Sequence, residues 1–441
     1  MRAPQRHSLC SLALAACLLA VPAVSQGQYS NQEAAKQAET PAPAPTNKGS
    51  SFRDTKKQNR ASLSMHRKDE RFQKRLGEAI EYFQADAFAE ALEILGDFRL
   101  KSLNPLERAE TYRMYAYVYS ADDNTPKARE YLRKAINEDA LPPAQNSEML
   151  YQIAQLYVSE ERWPEVLQTL EEWFALEPNP NSAAYFLLAI AHYQDKNIDA
   201  ALPAARKAVE IAKNPREPWL RLLLALELTQ QNFEASIPLL EELITRYPKK
   251  LYWVQLSTVH GVLENYEKAL IPLQFAFQQE LLDRDTEYRR LAQLLLFLNL
   301  PYRASEVMQV GLDKKFIEED SEAYELLGNS RIEAKEFDEA VEPIEQAALL
   351  SDNGELYLRL AQVHAQREKW NKTATALNKA LEKGDFNRPG EAEFLMGVAY
   401  YNQNKPEKAV RWFQRAKRYE ATKRDSASWL QYIDRELQAK G

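Results

Sequence analysis

Of the 441 residues only two are cysteine, Cys10 and Cys17, and only 12 are glycine. Beyond residue 17 the chain has no thiol, which excludes cysteine catalysis, thiolate metal sites and disulfide staples there. Glycine stands far below its ordinary ~7 %. Folds that rely on glycine for tight hairpins, positive-φ turns or phosphate-cradling loops are thereby disfavoured. No GxxxxGK[ST], GxGxxG or HExxH pattern occurs, so phosphate-loop and common zinc chemistry have no foothold. After residue 25 no stretch is long and apolar enough to span a bilayer. What is present is 45 % hydrophobic and 27 % charged. That describes a folded chain and leans towards all-α.

The first 25 residues read as a secretory signal peptide. Arg2 and Arg6 precede the apolar run Leu9–Val24, and small residues Ala23 and Ser25 close it. An uncleaved anchor is the alternative. Leu14-Ala15-Ala16-Cys17 also resembles a lipobox, which would acylate Cys17, although apolar residues continue through Val21. Residues 26–68 are rich in Gln, Ser, Lys and Ala around Pro41-Ala42-Pro43-Ala44-Pro45. Such a stretch buries too little apolar surface to offset its ordering entropy and is expected to be a disordered linker.

Charge is divided along the chain. Lys48 to Arg75 holds ten basic residues against three acids, while residues 76–441 carry 44 basic and 59 acidic residues, a net −15. A basic arm on an acidic body could meet an anionic membrane or the body itself, and a solvated linker is the plainer reading. Nucleic acid is a poor partner for so acidic a body.

From residue 69 to 425 the chain repeats. Ala91, Ala128, Val166, Ala201, Ser236, Ala269, Ala304, Ala340, Thr373 and Ala409 follow one another at a mean interval of about 35 residues. Twelve residues before each stands a small residue, from Ala79 to Gly397, with Leu224 the exception. Four residues after most anchors stands a larger one, such as Leu170, Leu273 or Phe413. Small residues let two helix backbones approach, and the large one fills the neighbouring groove. Pro126, Pro164, Pro301 and Pro406 fall where a second helix would start, a tolerated place. Pro203, Pro238, Pro272 and Pro343 fall inside it and should each remove a hydrogen bond and bend it. Residues 426–441 are expected to form a solvating cap helix, with Trp429, Ile433 and Leu437 on one face.

The pattern resembles the tetratricopeptide repeat, a helix–turn–helix unit of 34 residues. The fold expected is all-α, a right-handed superhelical solenoid of about ten such units with a C-terminal capping helix. Such an array is expected to need few positive-φ residues, which would explain the scarce glycine. Several stretches go further: EEWFALEPNPNSAAY at 171–185, YPKKLYWVQL at 247–256, NGELYLRLAQV at 353–363, KGDFNRPGEAEFLMGVAY at 383–400 and WLQYID at 429–434. They are similar to periplasmic tetratricopeptide proteins that accompany TonB–ExbB–ExbD systems of Gram-negative bacteria. That resemblance implies a periplasmic scaffold with protein partners of the TonB, ExbB or ExbD type, and no catalytic residues or cofactors.

His192, His260 and His364 are candidate metal ligands, but each stands three residues after the small residue of a first helix. Tyr82, Tyr119, Tyr157 and Tyr400 hold that slot in sister repeats, so packing is the expected role. Asp122-Asp123-Asn124 and Asp352-Asn353-Gly354 lack the calcium-loop pattern and read as turns. Paired acids such as Glu171-Glu172 could serve a glycosidase, yet nothing singles out one pair. The remaining candidate is a surface. In such arrays the first helices line a groove. Their exposed faces fall three before, one after and four after the small residue. Those positions carry Arg113, Tyr117, Tyr151, Phe186, Tyr193, Arg221, Arg289, Phe394 and Tyr401, and Phe297 stands one place further on, five after Ala292. Aromatic rings and guanidinium groups dominate binding hot spots, although some of these would pack between repeats instead. The function expected is a non-enzymatic periplasmic adaptor. The alternative is an envelope-biogenesis scaffold for outer-membrane assembly or peptidoglycan enzymes, lipid-anchored at Cys17.

Overall fold

The structure is a computed structural model that describes residues 70–440 apart from 353 and 385. The leader, the linker, Cys10 and Cys17 lie outside the described residues. Among those described there are 21 α-helices, one short 3-10 turn at Leu100–Ser102 and no strand. The helices fall into two compact units that divide at residue 239/240.

The first unit holds α1 (Glu70–Gln84), α2 (Phe88–Gly96), α3 (Pro105–Ala121), α4 (Thr125–Asn137), α5 (Pro143–Ser159), α6 (Trp163–Leu176), α7 (Ser182–Gln194), α8 (Ile198–Ile211) and α9 (Glu217–Thr229). The division falls within α10 (Phe233–Arg246). The second unit continues with α11 (Lys250–Val262), α12 (Tyr266–Gln278), α13 (Asp285–Phe297), α14 (Pro301–Asp313), α15 (Ser321–Glu333), α16 (Phe337–Leu350), α17 (Glu355–Gln366), α18 (Trp370–Lys383), α19 (Pro389–Asn402), α20 (Pro406–Ala416) and α21 (Glu420–Lys440). From α1 to α20 odd-numbered helices open a repeat and even-numbered ones close it, and α21 follows the tenth repeat. Within each unit an opening helix packs on its own closing helix, and closing helices pack on the next repeat. Helix α21 starts six residues before the expected Ser426. A hydrogen bond from Thr422 Oγ1 to the Ala416 carbonyl ties its first turn to the end of α20.

The repeat register comes from packing. All ten anchors are at most 1 % exposed, and so are the small residues Ala79, Ala116, Ala154, Ala189, Ser257, Ala292 and Ala361. Gly328 and Gly397 hold the same slot. A Cβ added at Gly397 would sit 2.7 Å from Phe413 Cε1, and one at Gly328 3.3 Å from the Ile344 backbone nitrogen. The larger residues four past the anchors, including Leu170, Leu273 and Phe413, are wholly buried. Removing each of these from water contributes about 1.5–3 kcal/mol.

The turns correct one expectation. Among the described residues thirteen other than glycine adopt positive φ, against a single glycine, Gly384. Ten of the thirteen, from Asp86 through Glu161, Lys196 and Glu368 to Asn404, stand five residues before their anchors. Every repeat therefore bends through a left-handed residue. Glycine is scarce because charged and amide residues take these positions, not because positive φ is rare. The next amide closes each bend by donating five residues back, as Arg162 does to the Tyr157 carbonyl at 3.0 Å and Lys369 to His364 at 2.9 Å.

Prolines stand where the sequence placed them. Those at 126, 164, 301 and 406 occupy first turns. Pro203, Pro238, Pro272 and Pro343 lie inside closing helices. Pro343 has no N–H to offer the Glu339 carbonyl. Arg331 on α15 supplies the missing donor, with Nη1 3.0 Å from that oxygen and Nη2 2.7 Å from Gln309 Oε1 on α14. One mid-helix proline thus becomes an anchorage between repeats. A second clasp joins α8 to α9, where the 2 % exposed Glu227 accepts from Arg206 at 2.7 and 2.8 Å and from Asn232 at 2.8 Å.

Candidate partner-binding face

The ten residues predicted for the face all lie on opening helices, but they do not share one environment. In the first unit Arg113 pairs with Glu110 at 2.6 Å and donates to Gln145 of α5 at 3.0 Å. Tyr117 is half-buried next to Gln152 of α5, and burial raises its phenol pKa. Tyr151 has its ring centroid 5.4 Å from that of Trp173, and burial pushes its phenol up to about 12. Phe186 is only 4 % exposed and stacks on Trp219 of α9 with centroids 4.8 Å apart. Tyr193 is half-buried against the apolar core of the same unit, and Arg221 is also half-buried.

In the second unit Arg289 is held by Asp285 at 2.7 Å, by Asp320 at 2.9 Å and by the Glu318 carbonyl at 3.3 Å. Burial draws this guanidinium down, but the two carboxylates outweigh it and hold it above its ordinary pKa. Phe297 is 49 % exposed, with its ring 4.4 Å from Tyr266. Phe394 meets Phe413 edge-on at 5.5 Å. Tyr401 lies 5.1 Å from Trp429 of α21 and donates to Glu436 at 2.7 Å. Hydrogen bonds to Tyr432 and Glu436 raise its phenol pKa. The ten residues therefore divide into buried packing rings, ion-paired arginines and a few half-open side chains. The last are Tyr117, Tyr193, Arg221 and Phe297.

The spacing rule missed a second set. Arg290 on α13 donates to Thr258 Oγ1 on α11 at 2.6 Å, and Arg359 on α17 donates to Asn329 Oδ1 on α15. The donors stand two residues before the small residue of their helix and the acceptors one residue after it. These pairs are rungs between successive opening helices. In the first unit the same rungs are Tyr117 with Gln152 and, within one apolar cluster, Ile190 with Leu222. The polar rungs are visible in the sequence only as arginines one place from the position three before the small residue.

His192, His260 and His364 lie at the ends of α7, α11 and α17, each with its Nδ1 buried and no hydrogen-bond partner among the described residues. Burial lowers all three pKa values. Lys268 adds to this at His260, and Lys372 and Arg367 add to it at His364, whereas Asp195 partly opposes it at His192. Among the described residues no group of three or more His, Asp or Glu side chains is arranged to hold a metal ion. A cleft of about 400 Å³ opens between α4 and α5, lined by Arg129, Arg133, Lys134 and Tyr157 among others. Its cations are already matched. Arg129 pairs with Glu160 and lies 4.3 Å over the Tyr157 ring, Arg133 pairs with Glu172, and Lys134 pairs with Glu130 at 2.6 Å.

The tetratricopeptide-repeat family model matches residues 151–218 and 358–425. These two stretches are tetratricopeptide repeats. The first begins on α5 and the second on α17, so each compact unit contains matched repeats. No curated protein matches the chain in sequence. Among solved structures, the chain is similar to a MamA protein at 20 % identity over 40 % of this chain and 94 % of that one, with a TM-score of 0.33. It is similar to YrrB, a tetratricopeptide-repeat protein described as having an unusual peptide-binding site, at 19 % identity over 44 % and 91 %, with a TM-score of 0.34. A tetratricopeptide-repeat protein from Parabacteroides merdae is similar at 15 % identity over 58 % and 98 %, with a TM-score of 0.33.

Proposed function

We propose that the protein is a periplasmic, non-enzymatic tetratricopeptide-repeat scaffold that accompanies a TonB-type energy-transduction system. The observation that carries the scaffold reading is the row of opening helices. Half-open rings and polar rungs occur on the opening helices of each unit: Tyr117 and Tyr193 in the first, and Phe297 with Arg290–Thr258 and Arg359–Asn329 in the second. An extended partner segment laid along the opening helices of either unit meets rings for its apolar side chains and guanidinium groups for its acids. The periplasmic half rests on the apolar leader at 9–24. The TonB half rests on the resemblance of the five stretches between 171 and 434.

The test is a cross-linked pull-down from the periplasm of iron-starved cells. The reading expects TonB, ExbB or ExbD in the eluate, and their loss when Tyr117, Tyr193 and Phe297 are replaced by alanine. Recovery of none of the three with wild-type bait removes the TonB half. Recovery undiminished by the triple variant removes the face. A second reading, a lipid-anchored scaffold of envelope biogenesis, is favoured by Leu14-Ala15-Ala16-Cys17. An acylated Cys17 at the mature N-terminus, seen by mass spectrometry, would select it.

A further inference from the structure

The outward faces of the closing helices change sign within the second unit. On α16 the positions one before, two after and five after the anchor Ala340 are Glu339, Glu342 and Glu345. On α20 the positions one before, two after and six after the anchor Ala409 are Lys408, Arg411 and Arg415. Residues 405–424 together carry eight basic side chains against Glu407 and Glu420. The opposite side of α20 is the packed one, with Ala409, Phe413 and Ala416 fully buried. Lys408, Arg411 and Arg415 therefore form one exposed stripe about 10 Å long on α20, at 1.5 Å per residue, and the exposed Arg418 follows in the turn into α21.

Few of these charges are matched. Arg415 is tied to Glu393 at 2.6 Å, and Lys423 pairs with Glu420 at 3.2 Å. Lys408 stands 5.6 Å over the Tyr400 ring. Arg411, Lys417, Arg418 and Arg424 make no ion pair among the described residues. Two aromatic side chains stand among the cations. Trp412 lies 4.2 Å beneath the Arg415 guanidinium, and Tyr419 is 37 % exposed beside Arg418.

We propose that the outward face of α20 and the turn into α21 dock the protein on an anionic phospholipid surface. Cations on long stems along one helix face suit a dense layer of mobile phosphates. An acidic peptide gains its affinity from a groove or sheet edge that orders it, and a single helix face supplies neither. An exposed tyrosine and a half-buried tryptophan beside lysine and arginine is the composition of a membrane-interface contact. Among the described residues no helix is long and apolar enough to cross a bilayer, so the contact is peripheral. Each cation near an anionic leaflet contributes ~1 kcal/mol, and the attraction dies away within a Debye length. The carboxylates of α16 are repelled by the same surface, which fixes how the second unit faces it.

Co-sedimentation of the full chain with large unilamellar vesicles tests this. The vesicles are of phosphatidylglycerol mixed with phosphatidylcholine, and of phosphatidylcholine alone. The expected result is binding to the anionic vesicles only, reversed by high salt. Arg411→Glu with Lys417→Glu and Arg418→Glu should weaken it on the order of 100-fold or more, at ~1 kcal/mol per cation lost. Circular dichroism checks that this variant is folded. A control with the same number of reversals in the basic arm, at Lys56, Lys57 and Arg60, should retain most of the binding. The proposal is overturned if the α20 variant binds like wild type, if only the arm variant loses binding, or if the protein is retained by polyglutamate and ignores the vesicles.

Discussion

Phe186 in the first unit and Phe297 in the second both stand on opening helices, three before Ala189 and five after Ala292. Phe186 is 4 % exposed and stacked on Trp219, and Phe297 is 49 % exposed. The contrast extends to the rungs. The first unit has Tyr117 with Gln152 and, within one apolar cluster, Ile190 and Leu222, whereas the rungs of the second are Arg290 with Thr258 and Arg359 with Asn329. Beneath these faces both units use the same left-handed residue five before each anchor and the same fully buried anchors. The skeleton is thus set by small residues and turn geometry. The face above it varies freely, because its side chains answer to their neighbours on the next helix. Each unit uses part of the face for its own cohesion and leaves part half-open, at Tyr117 and Tyr193 in the first and at Phe297 in the second.

The largest expected effect breaks the contrast directly. Phe186→Ala removes a buried stacked ring and should cost the first unit ~3–5 kcal/mol. Phe297→Ala removes a half-exposed ring and should cost the second ~1 kcal/mol or less. Urea unfolding of each full-length variant measures both, with any separate transitions of the two units fitted independently. Equal losses would mean that exposure does not report what the two rings do.

A smaller effect tests the same division by pH. His192 lies in the first unit, and His260 and His364 lie in the second. Folding holds each below its ordinary pKa near 6.5, chiefly by burial. Above pH ~6.5 the imidazoles are neutral in the folded and unfolded chain alike, and their contribution to stability is fully present. As pH falls below ~6.5 the unfolded chain takes up protons that the folded one refuses. Stability is then lost until the lowered folded pKa values are passed. The melting temperature should drop by about 2–4 °C for each kcal/mol lost between pH 7 and 5. Tyrosine fills the same slot in sister repeats, as at Tyr157 and Tyr400. His260→Tyr with His364→Tyr should therefore flatten the drop more than His192→Tyr does. If the single replacement flattens it more, the histidines are not distributed in effect as they are in the chain.

The skeleton was legible because its signal is steric. Only small residues fit where two helix backbones cross, so Ala154, Ala292 and Gly397 announce themselves at a fixed interval. The left-handed turns were hidden. Asp86, Glu161, Lys196, Gln231 and Asn404 share a conformation but no chemistry, and the absence of glycine pointed the wrong way. The face was half legible. Its register could be counted, but whether a ring at that register is free depends on what the next helix offers. For Phe186 that is Trp219, 33 residues away in sequence. The donor role of Arg331 was hidden for the same reason, since it depends on a carbonyl freed by Pro343 on another helix.

The smallest expected effect concerns what the two units share. Glu161 and Glu368 hold positive φ values of 58° and 56° in corresponding turns, one in each unit. A left-handed residue with a Cβ is strained by about 1–2 kcal/mol. Glycine removes that strain but loses ~0.5–1 kcal/mol through the greater freedom of its unfolded chain. Glu161→Gly and Glu368→Gly should each therefore stabilise by about 0.5 kcal/mol, and by the same amount, read as a rise in the denaturation midpoint without a change in slope. The equality matters more than the size. A gain in one unit with a loss in the other would show that the two turns are held by different surroundings. The common skeleton would then be a likeness of backbone shape without a common balance of forces.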